Sequence, residues 1–335
     1  MKILIAGGAG FVGTNLIFHL LKKYPSYRVT NLDSLVTGNA ENLSEFEGKE
    51  NYRFVQGNIC AEALIEKLFN EEKFDAVINL ASEETPESFI KTDVYGNFCL
   101  LEASRQAEIK RFIYVSSDEV YGETETEEGL LRPSIEEDPL RPQVPQAASK
   151  AGADVLTFSY NKAYNLPTVI LRPSNIFGPY QHESKLLPLL IRNALTGKSL
   201  PIYGDGKHSR DFLYVSDFCQ ALDISLHHPD AAPQTFNVSG GFEQTILEIT
   251  ELILTIVGKS KDLIEFVQDT QPHTRRRALD ASKIKEVLGW NPAVNFTDGL
   301  TKTCQWYQGK LRFCAKTLYP LQGPNLTATS SRIKG

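Results

Sequence analysis

Mostly apolar short runs alternate with helix-like segments through the first half of the chain. The apolar runs, which indicate buried strands, lie at 2–7, 28–33, 52–58, 75–81, 111–117 and 167–173. Helices are predicted between them at 11–24, near 61–72, near 90–107 and at about 146–164. Strands that alternate with helices predict a parallel sheet joined by right-handed crossovers. The expected fold class is therefore α/β, with a doubly wound parallel sheet of Rossmann type.

The pattern changes after about residue 175. Loops rich in glycine, polar and aromatic residues, such as "FGPYQHESK", "YGDGKHSRD" and "VSGGFEQ", separate shorter elements there. They predict a smaller mixed C-terminal lobe over 175–317, beside a first domain at 1–174 that some later segments re-enter. The polar tail, 318–335, is expected to be mobile. The acidic stretch 118–146 is expected to hold little regular structure.

Composition narrows the class of protein. The chain has 335 residues, 41% of them hydrophobic, and a formal net charge of −6. Because no long basic run is present, a nucleic-acid partner is not expected. No stretch is apolar enough for a membrane span, and the N-terminal apolar run passes straight into a glycine-rich turn instead of forming a separate targeting segment. Five scattered cysteines without metal-ligand spacing predict reduced thiols, no metal site and a cytoplasmic location.

Three glycines predict a cofactor site. Gly7, Gly10 and Gly13 form G-x-x-G-x-x-G directly between a predicted strand and a predicted helix. This context allows a tight turn, a close approach of the backbone to a pyrophosphate, and phosphate binding at the helix N-terminus. Asp33 ends the second strand, where a carboxylate binds a ribose 2′-hydroxyl and repels a 2′-phosphate, so NAD is favoured over NADP. Asn58, after the third strand, could reach the adenine edge or could be a plain turn residue.

Seven motifs, taken in order, resemble one enzyme family. They are "GGAGFVG", "NLDSL", "VSSDEVYG", "SKAGAD", "LRPSNIFGPYQ", "LPIYGDGKHSRDFLYVSD" and "LDASKIKEVLGW". Together they span about residues 1–308 and resemble the extended short-chain dehydrogenase/reductase family, most closely its nucleotide-sugar 4,6-dehydratases. The resemblance implies an NAD-dependent enzyme whose substrate is a nucleotide-diphosphate sugar. It also implies a homodimer or higher homo-oligomer that packs through the helices near 90–107 and 146–164.

The resemblance also implies binding residues. Those for NAD are Gly7, Gly10, Phe11, Val12, Gly13, Asp33, Asn58, Ile59, Leu80, Ala81, Ser116, Lys150 and Ser174. Those for the nucleotide diphosphate are Asn175, Lys185, Leu186, Arg210, Asn237 and Arg275. Arginine side chains are fork-shaped donors suited to phosphate, although a surface ion pair with Asp211 or Asp217 is the alternative role for Arg210. Pro201 and Tyr203 offer an apolar wall and edge groups for a pyrimidine base, and Glu84 belongs to the expected sugar pocket.

Two adjacent carboxyls follow the fifth predicted strand. Ser117, Asp118 and Glu119 lie at its carboxyl end, where open parallel sheets carry their active sites. Neighbouring carboxyls can divide the roles of acid and base if their environments separate their pKa values. By resemblance, Asp118 protonates the departing C6 hydroxyl of the sugar, and Glu119 removes the C5 proton. The alternative is that both residues simply belong to the acidic loop.

A glutamine occupies the place of the family's tyrosine. The sequence reads "VPQAASK" where the family has "PYSASK", so Gln146 lies four residues before Lys150. By resemblance, Lys150 holds the nicotinamide ribose. Residues at i and i+4 share a helix face, so Gln146 is expected to bind sugar O4 together with Ser117, although an amide cannot remove its proton. Asp118, directly or through water, is the favoured proton acceptor, and a water relayed through Ser117 or a deprotonated Lys150 is the alternative.

A phenol from another element could also replace the missing tyrosine. Tyr95, Tyr121 and Tyr180 are the candidates, although Tyr121 is expected to be structural. The glutamine, whether natural or introduced, also leaves open a chain that binds NAD and a nucleotide sugar without catalysis. The retained carboxyl pair, Lys150 and binding motifs favour an active enzyme.

The segment after the fourth predicted strand favours an altered sugar pocket. Many dTDP-glucose dehydratases carry "AAESHVDRSI" there, whereas this chain has "ASEETPESFI" at 81–90. The change lies beside the altered tyrosine position. Some bacterial UDP-N-acetylglucosamine 4,6-dehydratases also lack that tyrosine, so UDP-N-acetylglucosamine is the favoured substrate. A dTDP-glucose 4,6-dehydratase is the first alternative, and a UDP-sugar 4-epimerase or decarboxylase is a further one.

Overall fold

A computed structural model describes residues 1–83, 85–268 and 275–318. Its strands are β1 (Lys2–Ala6), β2 (Arg28–Asp33), β3 (Tyr52–Gln56), β4 (Ala76–Asn79), β5 (Arg111–Val115), β6 (Thr168–Pro173), β7 (Asn175–Phe177), β8 (Leu200–Tyr203), β9 (Ser209–Tyr214), β10 (Gln234–Val238), β11 (Phe242–Thr245), β12 (Ile264–Val267) and β13 (Arg276–Arg277). Its α-helices are α1 (Phe11–Lys23), α2 (Glu62–Glu72), α3 (Pro86–Phe89), α4 (Asn97–Gln106), α5 (Pro145–Tyr164), α6 (Leu186–Thr196), α7 (Val215–His227), α8 (Ile246–Val257), α9 (Ser282–Leu288) and α10 (Phe296–Leu318). A π-helical segment, Ile90–Gly96, joins α3 to α4.

The central layer is a seven-stranded sheet in the order β10-β6-β5-β4-β1-β2-β3. Every neighbouring pair in it is parallel. The predicted doubly wound α/β fold is therefore confirmed. The strand order reverses between β1 and β4, and in such sheets ligands bind at this switch point, outside the carboxyl ends of the strands.

Helices cover both faces of this sheet because alternate side chains of each strand point to opposite sides. Ile3 and Ile5 of β1 belong to the same buried cluster as Leu16 of α1. Leu4 belongs to the opposite cluster, with Leu68 of α2. Burial on both faces explains why these strands are read in the sequence as nearly continuous apolar runs.

The later part of the chain builds a second, mixed layer. β7, β9, β11 and β13 form one sheet, in which β11 is antiparallel to β9 and the other pairs are parallel. β8 and β12 form a parallel pair. Helices α6, α8 and α10 enclose a separate core that includes Leu190, Ile253 and Leu300. β10, by contrast, returns to the edge of the central sheet.

Two segments differ in detail from the sequence prediction. The helix expected near 90–107 begins at α3 and passes through the π-helical segment. The acidic stretch starts with a 3₁₀ turn, Asp118–Val120, and then continues as turns with two isolated bridges before α5.

Within the described ranges, no helix is both long and apolar enough to cross a membrane. The tail beyond Leu318 lies outside the described residues, so its predicted mobility stays a prediction.

Candidate active site

A cleft opens at the switch point between β1 and β4. Gly7 has a φ of +81°, and a Cβ added to it would lie 2.8 Å from the Ala81 backbone nitrogen. A Cβ on Gly13 would lie 2.4 Å from the Gly7 carbonyl oxygen, so only glycine allows α1 to start this close to the turn. Helix α1 begins at Phe11, and its N-cap residue, Gly10, provides no side-chain cap, which leaves the first N–H groups of the helix available to a ligand. The cleft is lined by Gly7, Gly10, Leu32, Asp33, Ser34, Thr37, Gly57, Asn58, Ile59, Leu80, Ala81, Ser82, Glu83 and Thr92.

The Asp33 side chain stabilises this glycine turn through hydrogen bonds to the backbone. Its two carboxylate oxygens accept hydrogen bonds from the backbone N–H groups of Ala9 (2.9 Å) and Leu35 (2.8 Å). Burial raises the pKa of Asp33, and these two hydrogen bonds act in the opposite direction. Each carboxylate oxygen has a further lone pair, so the side chain can hold the turn and still accept a ribose hydroxyl.

Two buried hydroxyls near the strand ends lack partners. Ser116 follows β5 and Ser174 follows β6, and neither Oγ makes a hydrogen bond although both are buried. An unpaired buried hydroxyl is costly, and a bound polar group would satisfy it. Together with the glycine cradle and Asp33, these hydroxyls fit the dinucleotide cofactor that the sequence predicts.

The carboxyl pair lies on the 3₁₀ turn that follows β5. The Ser117 hydroxyl accepts a hydrogen bond from the Glu119 backbone N–H and donates one to Asp118 Oδ1, both at 3.2 Å. Asp118 is buried, whereas about a third of the Glu119 side chain (35%) is exposed. Burial raises the pKa of Asp118 above its usual range, opposed by Arg277 and reinforced by the charge of Glu119. The two neighbouring carboxyls therefore occupy different electrostatic environments.

Arg277 joins this pair, although the sequence marks it only as one of three consecutive arginines suited to a diphosphate. Its Nη1 donates a short hydrogen bond to Glu119 Oε1, and its Nε lies 3.8 Å from Asp118 Oδ2. Only 15% of the Arg277 side chain is exposed. Arg277 of β13 lies beside Arg210 of β9 in the sheet register. Burial and the charge of Arg277 lower the pKa of Arg210 to about 10.

Strand geometry separates the three consecutive arginines. Arg276 points away from the acid pair and makes a two-pronged ion pair with Glu243 at 2.7 Å. Arg277, one position later, points inward, as side chains alternate along a strand. Arg275 is exposed, and its backbone N–H donates to Glu123 Oε1 while its carbonyl oxygen accepts from the Ser209 N–H. Strand alternation places Arg275 and Arg277 on one face and Arg276 on the other, so a strand prediction would have excluded Arg276 but would not have separated Arg277 from Arg275.

Gln146 and Lys150 lie on the first turns of α5. The Gln146 amide donates a weak hydrogen bond, at 3.4 Å, to the Glu83 carbonyl oxygen, which lies in the altered segment 81–90. Lys150 Nζ lies 3.5 Å from the Val115 carbonyl oxygen, at the end of β5. The helix thus brings both residues to the same strand ends as the cofactor cleft and the carboxyl pair.

A buried aspartate accompanies Lys150. Asp93, on the π-helical segment, has a fully buried side chain, and its Oδ1 lies 3.7 Å from Lys150 Nζ. Its Oδ2 accepts a hydrogen bond of 2.6 Å from the Ser149 hydroxyl. Oδ1 makes no hydrogen bond. Sequence reasoning missed Asp93, because an isolated aspartate in a predicted helix is typical of a surface position.

The three alternative tyrosines are engaged elsewhere. The Tyr95 hydroxyl bonds to Glu62 in an exposed position. The Tyr180 ring packs against Trp306, with 4.9 Å between ring centroids. The Tyr121 hydroxyl is buried, where it donates to Asn237 Oδ1 at 2.8 Å and accepts from Arg172 at 2.7 Å. None of these contacts is with Asp118 or Glu119.

Asn237, which is expected to bind substrate, has a buried side chain that bonds to other parts of the protein. The residue is 0% exposed, within β10. Its carbonyl oxygen accepts from Tyr121, and its amide donates to the Ser134 carbonyl oxygen at 2.9 Å. The amide thus links the sheet edge to the acidic loop, and the role of Asn237 in substrate binding stays a prediction.

The other predicted substrate residues lie around the second layer. Asn175 donates to the Asp211 carbonyl oxygen at 3.2 Å. Lys185 and Leu186 are exposed at the start of α6, and Lys185 also borders the part of the cleft near the glycine turn. Pro201 is half-buried and Tyr203 is exposed, both on β8. Glu84 lies outside the described residues, so its predicted role stays a prediction.

Comparisons with known proteins agree on one family. The family model for GDP-mannose 4,6-dehydratase matches residues 4–303. The low-salt glycan biosynthesis protein Agl12 of Haloferax volcanii is 42% identical over 317 residues, which cover 92% of this chain and 99% of that protein. A dTDP-glucose 4,6-dehydratase of Actinoplanes is 39% identical over 321 residues, which cover 92% of this chain and 98% of that protein.

Solved structures agree with this result. The dTDP-glucose 4,6-dehydratase of Bacillus anthracis, in complex with NAD, matches with a TM-score of 0.88 and 39% identity, over 93% of this chain and 98% of that one. The UDP-glucose 4-epimerase of Thermotoga maritima, with UDP-glucose, matches with a TM-score of 0.84 and 28% identity, over 93% of this chain and 100% of that one. The resemblance drawn from the motifs is confirmed, and the chain belongs to the GDP-mannose 4,6-dehydratase family of extended short-chain dehydrogenases/reductases.

Proposed function

We propose that the protein is an NAD-dependent nucleotide-sugar 4,6-dehydratase that forms a 4-keto-6-deoxy sugar nucleotide. One observation carries the proposal: two adjacent carboxyls, one buried and one partly exposed, lie at the carboxyl end of β5, at the same edge of the sheet as the cleft of the glycine turn. Adjacent acids in different environments suit a reaction that needs an acid and a base at neighbouring carbons. Relatives named dTDP-glucose 4,6-dehydratase, one of them solved with NAD, support the same activity.

NAD would bind along the cleft at the switch point. The glycine turn and the start of α1 would hold its pyrophosphate, Asp33 its adenosine ribose, and Lys150 its nicotinamide ribose. When bound, NAD supplies a hydride acceptor next to sugar C4 and later a hydride donor next to C6. The unpaired hydroxyls of Ser116 and Ser174 are available to polar groups of the cofactor.

The carboxyl pair carries the protons of the elimination. A ketone at C4 acidifies the C5 proton, and Glu119 takes that proton as the general base. Asp118, whose pKa is raised by burial, gives its own proton to O6, so that the C6 hydroxyl leaves as water. Glu119 then returns its proton to C5. The two carboxyls therefore supply and accept the protons that the removal of one water from the sugar requires.

The proton on sugar O4 goes to Asp118, directly or through one water. An amide can orient O4 but cannot remove its proton, so Gln146 is limited to a hydrogen bond. Asp118 would accept the O4 proton in the oxidation and release the same proton to O6 in the elimination. The enzyme would then end each turnover in its starting protonation state without a phenol.

Two substrates are supported by different observations. The altered segment 81–90, whose Glu83 carbonyl oxygen contacts Gln146, supports a rebuilt sugar pocket and with it UDP-N-acetylglucosamine. The names of several relatives support dTDP-glucose instead. UDP-N-acetylglucosamine remains our proposal, and dTDP-glucose is the second candidate. Arg210, beside the carboxyl pair, supplies the guanidinium that a diphosphate in either substrate requires.

Mass spectrometry of products separates the candidates. The purified protein is incubated with NAD and, separately, with UDP-N-acetylglucosamine, dTDP-glucose, UDP-glucose and UDP-glucuronic acid. A product lighter by one water is expected from one of the first two. A mass-neutral conversion would indicate an epimerase, loss of carbon dioxide a decarboxylase, and no product from any sugar would refute catalysis. The variant Glu119→Gln should form no dehydrated product, because it has no base at C5.

We also propose that the protein assembles as a homodimer through α4 and α5. Side chains of Val155 and Phe158 on α5 are exposed, as is Phe98 on α4. Exposed apolar side chains on adjacent helices are typical of surfaces that pack against a partner. Sedimentation equilibrium would give the mass, and Phe158→Lys should yield monomers. A wild-type protein that sediments as a monomer would refute this assembly.

A further inference from the structure

We propose that Arg277 is a positioning residue that acts as the shared counter-ion of Asp118 and Glu119 during elimination. This inference rests on the proposed dehydratase activity. It concerns the movement of negative charge from Glu119 to Asp118 during elimination. A tyrosine at position 146 would not perform this step. No residue of the sequence motifs was assigned to it.

The contacts of Arg277 extend to both acids. Nη1 is bonded to Glu119 Oε1, and Nε lies 3.8 Å from Asp118 Oδ2. Both Nε and Asp118 Oδ2 are buried atoms without a hydrogen-bond partner. Nε can donate a hydrogen bond and Oδ2 can accept one, and a small movement of either side chain would bring the two atoms within hydrogen-bond distance. The guanidinium can therefore engage either carboxyl from one location.

The elimination moves negative charge from one acid to the other. Glu119 begins as a carboxylate and becomes neutral when it takes the C5 proton. Asp118 begins with a proton and becomes a carboxylate when it gives that proton to O6. One of the two acids is a carboxylate before the step, and the other is a carboxylate after it. The negative charge therefore moves from one end of the Arg277 guanidinium to the other. A fixed cation in a partly buried site stabilises such a shift without solvent reorganisation.

The two neighbouring arginines, Arg277 and Arg210, have different roles. Arg210 lies next to Arg277 in the sheet register, and the charges of Asp118, Glu119 and Glu123 also act on it. Arg277 engages the two acids, which leaves the guanidinium of Arg210 for an anionic ligand. A lysine in place of Arg277 has a single ammonium and lacks the two-sided fork that reaches both acids.

The test compares three variants. Arg277→Gln removes the charge, and Arg277→Lys keeps the charge without the fork. Arg276→Gln is the matched control, because the neighbouring arginine on the same strand points away and pairs with Glu243. Each variant is assayed for dehydrated product and for the absorbance of enzyme-bound reduced nicotinamide after substrate is added. Folding is checked by circular dichroism and thermal unfolding.

Arg277→Gln is expected to slow formation of dehydrated product by about 10- to 100-fold, the size typical of one lost charge-assisted hydrogen bond. Reduced nicotinamide should accumulate, because oxidation neutralises the Asp118 carboxylate, which needs no cation, whereas elimination recreates that carboxylate, which Arg277 stabilises. Arg277→Lys should give the same accumulation with a smaller loss of rate, and it serves as the readout if the glutamine variant does not fold. Arg276→Gln should match the wild type.

Three results would overturn the inference. Wild-type rates in both Arg277 variants would do so, as would an equal loss of oxidation and elimination without accumulation of reduced nicotinamide. A wild-type protein that removes water from no nucleotide sugar would instead refute the proposed function, and the role of Arg277 with it. The wild-type product assay therefore distinguishes the two failures.

Discussion

Replacing Asp93 with asparagine isolates the charge that lies beside Lys150. The substitution keeps the shape of the side chain and an oxygen that can accept the hydrogen bond from Ser149. It removes the negative charge that lies 3.7 Å from Lys150 Nζ. Asp93 is fully buried and Lys150 retains 14% exposure, so neither charge is fully solvated.

The magnitude follows from this distance. At an effective dielectric constant of about 20, two unit charges 3.7 Å apart interact by about 4 kcal/mol. Loss of one partner of a buried pair costs ~3–5 kcal/mol of unfolding free energy. Because Lys150 is partly exposed and lies near the Val115 carbonyl oxygen, we expect a smaller cost than that range, about 2–3 kcal/mol.

Urea unfolding of four proteins measures this interaction: the wild type, Asp93→Asn, Lys150→Met and the double variant. The double variant should be more stable than the sum of the single losses predicts, with a coupling energy of about 2 kcal/mol. Ser149→Ala is the control, because it removes the 2.6 Å hydrogen bond and keeps both charges; it should cost about 1 kcal/mol. A coupling energy below about 0.5 kcal/mol would show that Asp93 and Lys150 do not form an effective pair.

Three further predictions concern the site and its support. Gln146→Ala should lower kcat less than Asp118→Asn, because the amide only orients O4 whereas the carboxyl carries its proton; the reverse order in steady-state assays would contradict the proton route. Gly13→Ala should weaken NAD binding at least about tenfold in calorimetric titration, because its Cβ would lie 2.4 Å from the Gly7 carbonyl oxygen; unchanged affinity would contradict the close turn. Burial acts to raise the pKa of Asp223, but hydrogen bonds, first from the His19 side chain, outweigh it and lower that pKa to about 2. Its stabilising contribution is therefore present above the usual value near 3.8 and is lost as pH falls toward 2, so thermal unfolding of Asp223→Asn should lack this acid-dependent loss.

The sequence predicted the parts of the site that depend on local pattern. The glycine turn, Asp33 and the carboxyl pair all follow short buried strands, and parallel topology brings strand ends to one edge. Gln146 and Lys150 were predicted on one helix, which the structure describes as α5. In each case a local signal, such as a glycine spacing or an apolar run, determines where the side chain lies.

Long-range pairing explains what the sequence did not reveal. Arg277 reaches Glu119 only because a two-residue strand, β13, aligns with β9, and a strand that short leaves almost no pattern. Asp93 depends on a π-helical segment that turns it toward α5. Asn237 was assigned by resemblance, but Tyr121 and Ser134, more than 100 residues earlier in the chain, use its amide.

The return of β10 to the central sheet affects how the chain can be made and divided. β6 ends at Pro173, whereas its outer neighbour begins at Gln234, after α6 and α7 have been synthesised. Until then, the nascent sheet exposes an unpaired parallel edge, which is the kind of surface that pairs with other chains. A fragment that stops after β6 would keep this open edge permanently. The glycine turn and the carboxyl pair therefore cannot be isolated as a minimal nucleotide-binding unit without the chain as far as Val238.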